Sequence, residues 1–66
     1  MKAKRFVIEY ANYKIDQLYN NQDMQQNIKN RMINRITTAI CMYETGVITV
    51  DETMQLINNP GAGIVD

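Results

Sequence analysis

The stretch YETGVITVDETMQLI, residues 43–57, decides what this chain can fold into. Gly46 falls one residue beyond a run with helical spacing, where a helix commonly ends in a left-handed conformation that glycine adopts at little cost. Three residues later, Thr49-Val50-Asp51-Glu52 matches the capping box, in which a threonine hydroxyl and a glutamate three positions on satisfy each other's backbone N–H groups. Asp51 and Glu52 also place negative charge at the positive end of the helix they begin. The alternative, a strand over Val47–Val50, has only four residues and no partner strand. The stretch therefore reads as a helix stop, a short connection plugged by Val47 and Ile48, and a helix start.

The rest of the chain follows from that corner. Residues 3–20 repeat apolar side chains at helical spacing, with Val7, Ile8, Tyr10, Ala11, Ile15, Leu18 and Tyr19 in one half of the wheel and Phe6 and Tyr13 at its boundary. Phe6-Val7-Ile8 alone is too short to separate a helix start from a strand start. Asn20-Asn21-Gln22-Asp23 breaks the pattern, with Asn20 or Asn21 suited to cap the next helix and Asp23 to its first turn. Residues 22–45 read as a long central helix whose apolar arc, Met24 through Tyr43, covers about 180°, wider than one neighbour requires. Eight asparagines, several of them in that helix, have poor helix propensity, so it depends on packing. A third helix over 50–59, with Met54 and Ile57 on its apolar stripe, ends where Pro60 cannot continue it. The expectation is an all-α, small three-helix domain over 1–59, two longer helices plus a short C-terminal one, with 60–66 as a flexible tail.

Sixty-six residues leave little room for a core, and domains of this size usually need a staple. One cysteine excludes an internal disulfide, and the lack of histidine removes the usual zinc ligand sets. Helix packing and association with another chain remain. Residues 1–35 hold all seven cations and three acids, a net of +4, while residues 36–66 hold four acids and no cation, a net of −4. The halves can neutralise each other on packing, or leave a basic face. MKAKR resembles the start of a leader, but its apolar run stops at Glu9, and no run is long enough for a membrane span. With one cysteine and no export signal, the cytoplasm is the expected compartment.

Gly46-Val47-Ile48-Thr49, followed by Asp51-Glu52 between two helices, resembles the hairpin of the short C-terminal domain (SHOCT-type) family of small bacterial helical modules. The resemblance covers about 15 residues. Thr53 stands where that pattern has an aromatic residue, and the lysines usual in the second helix are absent. The resemblance implies oligomerisation or protein contact rather than catalysis.

Catalytic groups are hard to assemble from this chain. Cys41 has no histidine to activate it, and Arg31, Asn34 and Thr38 on its helix side offer no base. No phosphate-cradling loop, nucleophile elbow or calcium loop is present. The expectation is no enzyme, no cofactor, no metal and no catalytic residue. A helix-turn-helix reading fails at residues 50–59, which begin with two acids and hold no cation. The competing function is a small DNA-binding regulator using the basic side of the first two helices. Association is the favoured one, because two wide apolar arcs face only a ten-residue third helix. The expected partner surface comprises Tyr10, Tyr13, Met24, Met32, Arg35, Met42 and Tyr43, with Gly46, Thr49 and Glu52 as the structural corner. The partner is a second copy, forming a dimer, or another protein, and the role that of a regulator, adaptor or inhibitor. Such a chain would also suit a phage or mobile element that blocks a host target.

Overall fold

A computed structural model describes residues 2–62, with side chains from Lys4 onward. Three helices run in chain order, α1 (Lys2–Tyr19), α2 (Gln26–Glu44) and α3 (Val50–Asn58), and no strand occurs among the described residues. The protein is the all-α three-helix domain its periodicity predicts. α2 packs against both neighbours, and α1 and α3 also touch, so the wide arc of α2 is divided between two partners. Residues 6–8 are helical, with Val7 buried and Phe6 turned outward.

The core is thin. Val7 and Ala11 from α1, Ile36 from α2 and Ile57 from α3 form its buried centre, ringed by half-buried Tyr10, Ile15, Leu18, Ile40, Tyr43 and Met54. Ala39 is buried beside this cluster. Lys29 is buried too, which is affordable only because its four-carbon stem is apolar. Tyr19, placed by spacing in the apolar half of α1, is 63% exposed at the last residue of that helix.

The corner is built as its residues predict. Gly46 has φ +81°. Val47 N donates to Met42 O at 2.8 Å and Gly46 N to Tyr43 O at 3.1 Å, the paired bonds of a Schellman motif closing α2. Thr49 then caps α3: Glu52 N donates to Thr49 Oγ1 at 3.1 Å and Thr49 N to Glu52 Oε1 at 3.0 Å. Ile48 is half-buried in the connection, whereas Val47 remains 66% exposed and plugs nothing. Thr53, where the SHOCT-type pattern has an aromatic ring, is fully buried, and its hydroxyl donates to Thr49 O at 2.7 Å.

Two boundaries depart from expectation. α2 begins at Gln26, four residues after the predicted start. Asn21 Oδ1 accepts from Asp23 N at 3.0 Å, a local turn that holds 21–23 out of the helix. Neither Asn20 nor Asn21 caps α2; the N-cap is Gln25, extended at φ −61° and ψ 141°, with no side-chain cap bond. The second departure is the tail. Pro60 is buried, and the Arg35 guanidinium donates to Pro60 O at 3.1 Å and to Ala62 O. Gly61 lies against the Met32 methyl, close enough that a Cβ there would sit 3.5 Å from it. Residues 60–62 are therefore a docked turn rather than the start of a flexible tail, because Arg35 Nη1 holds the carbonyls of Pro60 and Ala62. The remainder of the predicted tail, 63–66, lies outside the described residues.

Candidate functional site

The seven residues expected to form one partner surface are distributed over different parts of the bundle. Tyr10 is half-buried against the core, and its hydroxyl donates to Asn58 Oδ1, tying α1 to the end of α3. Tyr43 also packs on the core. Met24 is half-buried in the link between α1 and α2. Met32 lines a cavity of about 260 Å³ with Leu18, Ile36 and Pro60, rimmed by Lys14, Gln17, Asn21 and Asn58. Arg35 Nη1 donates to the carbonyls of Pro60 and Ala62 in the C-terminal turn.

Tyr13, Arg35 and Met42 fall on two open surfaces. On α1, Phe6 (60% exposed) and Tyr13 (56% exposed) flank Tyr10 in a row, with ring centroids 6.2 and 6.4 Å apart. Residues three and four apart share a helix face, which is why 6, 10 and 13 align. Lys14 Nζ stands 5.8 Å from the Tyr10 ring centre, and Gln17 Nε2 donates to the Tyr13 hydroxyl at 2.9 Å. The row is thus held in place but uncovered.

The second surface is the seam between α2 and α3, an open groove of about 570 Å³ lined by Arg31, Asn34, Arg35, Thr38, Ala39, Met42 and Leu56. Of the expected surface it includes Arg35 and Met42. Sequence reasoning missed Leu56, which lies half-buried on the groove wall. It also set Arg31, Asn34 and Thr38 on the polar side of α2, which is correct, but that side turns out to form a concave wall rather than plain solvated surface. Their shared face was readable from their three- and four-residue spacing; the groove was not, since it exists only once α3 lies beside them.

Electrostatically the basic side of α2 is sparse. Of Lys29, Arg31 and Arg35, only Arg31 is exposed. The described ion pair, Arg5 with Glu9 at 3.2 Å, is a surface pair on α1 whose worth is about 1 kcal/mol or less. Cys41 is an exposed free thiol, and among the described residues no three of Asp, Glu, Cys and His gather as a metal would need. No helix of the described residues is long and apolar enough to cross a membrane. No protein-family model matches the chain, and no curated protein or solved structure does so either.

Proposed function

We propose that this chain is a small protein–protein interaction module, a regulator, adaptor or inhibitor that performs no chemistry and acts through uncovered helical surface. One observation carries the reading: Phe6 and Tyr13, 60% and 56% exposed, flank Tyr10 in an uncovered aromatic row along α1. Tyr19, Val47 and Val50 are also more than a third exposed. Aromatic rings and arginine on such surface are the residue types that protein interfaces favour. The resemblance of residues 46–52 to SHOCT-type hairpins points the same way, because those modules associate. Nucleic acid is less favoured, since α3 begins with Asp51 and Glu52 and α2 presents one exposed cation.

Brief hydroxyl-radical labelling, read residue by residue, tests the reading. Raising the protein concentration, or adding extract of its host, should shield Phe6 and Tyr13 or Met42 and Leu56. Labelling that stays constant under every condition, with light scattering reporting a single chain throughout, would overturn it.

A further inference from the structure

We infer that the cavity beside the C-terminal turn binds a small organic acid, a monocarboxylate with a short apolar body. The inference goes beyond the interaction reading above and does not depend on it. Every helix contributes to this cavity. Residues 14, 17, 18 and 21 repeat at three- and four-residue spacing along one side of α1 and the turn that follows it. Met32 and Ile36, one turn apart on α2, form a second wall, and Asn58 and Pro60 a third. The chain reversal after α3 completes the enclosure, because Arg35 Nη1 holds the Pro60 carbonyl and Gly61 lies against Met32. The floor is apolar, made by Leu18, Met32, Ile36 and Pro60, of which Ile36 and Pro60 are buried. Its volume of about 260 Å³ falls just under the roughly 300–1,000 Å³ of small-molecule pockets, so the occupant is small.

The rim selects the head of the ligand. Three of its four side chains are carboxamides, and each has one end already bonded. Asn58 Oδ1 accepts from the Tyr10 hydroxyl, Asn21 Oδ1 accepts from Asp23 N, and Gln17 Nε2 donates to the Tyr13 hydroxyl. These bonds fix which way each amide is turned. They leave the Nδ2 groups of Asn21 and Asn58 as donors and Gln17 Oε1 as the remaining acceptor. Lys14 adds an ammonium, its Nζ 5.8 Å from the Tyr10 ring centre. Donor groups thus outnumber acceptors three to one, and among the described residues no acid lines the cavity. An amine would meet one acceptor and the like charge of Lys14. A phosphate monoester would bring two negative charges to a single cation. A carboxylate has one charge and two acceptor oxygens, which matches the ammonium and the two amides.

NMR titration of the full chain with hexanoate tests this. The Met32 methyl and the side-chain amides of Asn21 and Asn58 should shift and saturate, with a dissociation constant on the order of 1 mM. The Phe6 ring, about two turns before Lys14 on α1, should not move. Hexanol and hexylamine should bind about tenfold more weakly. Lys14→Met keeps the apolar stem and removes the charge; it should weaken hexanoate about fivefold and erase its advantage over hexanol, with helix content unchanged. Met32→Phe should fill the cavity and abolish binding, and circular dichroism of that variant separates a filled cavity from a lost fold. Absence of saturable shifts up to about 20 mM hexanoate overturns the inference. Equal binding of hexanoate, hexanol and hexylamine overturns the ligand class, and shifts confined to Phe6 and Tyr13 overturn the site. None of these outcomes bears on whether the chain associates with another protein.

Discussion

Thr49 and Glu52 bear on stability more than their exposed positions suggest. Each satisfies a backbone N–H that the first turn of α3 would otherwise leave without a helical partner. Thr49→Ala should cost about 1 kcal/mol, lowering the thermal midpoint by about 4–8 °C, whereas Glu52→Gln should leave it nearly unchanged. Circular dichroism melts of the two variants make the comparison. Arg35 has a comparable role at the other end of α3. Its Nη1 donates to two carbonyls of the docked turn. Arg35→Met removes that donor, and should cost about 1 kcal/mol and expose the chain after Asn59 to limited proteolysis well before the helices are cut. The corner was readable in the sequence because a capping box has a fixed spacing. The Arg35 contact was not, because its acceptors are main-chain oxygens, and any residue at 60 or 62 supplies one.

At the scale of the element, α2 is a helix that its own sequence supports poorly. It contains Asn27, Asn30 and Asn34, and two adjacent threonines, of which Thr37 returns its hydroxyl to Ile33 O at 2.9 Å. Side chains of this kind compete with the helical backbone for hydrogen bonds. Its start is also uncapped, since Gln25 holds the extended conformation of an N-cap without bonding the first turn. Gln25→Asp should supply both an acceptor and a charge suited to the dipole, stabilising the protein by about 1 kcal/mol as measured by chemical denaturation. The periodicity located all three helices but ran α2 back to residue 22. Met24 continues the apolar spacing of Ile28, so the pattern contains no sign that the helix has not yet begun. The Asn21–Asp23 turn decides the matter locally. The seam was hidden for a different reason: its helix wall is made of arginine, asparagine and threonine, whose spacing carries no hydrophobic signal.

The whole molecule measures 36 by 21 by 14 Å between Cα extremes, a slab rather than a sphere. So flat a shape leaves few positions that every helix can cover, and Ile36 and Ile57, both fully buried, occupy them. A protein of this length has about 3–10 kcal/mol of stability in total. Ile36→Ala should remove about 2–5 kcal/mol of it, enough to leave a large fraction unfolded at body temperature, visible as lost helicity and sharp broadening in NMR spectra. The fold class was legible because three amphipathic runs and one capped corner permit few other arrangements. The thinness of the core was legible only as surplus apolar surface; which faces stay open depended on how α3 lies across α2, and no local pattern encodes that.

The two ends of α2 are finished unequally. At Gly46 the last carbonyls are claimed by two backbone N–H groups, while at Gln25 the first turn is left to water. Heat or denaturant therefore meets a helix with one latched end and one loose end, and unravelling has a direction: it starts beside the α1–α2 link and travels toward the corner. The corner between α2 and α3, bonded on both of its sides, is the joint expected to loosen last.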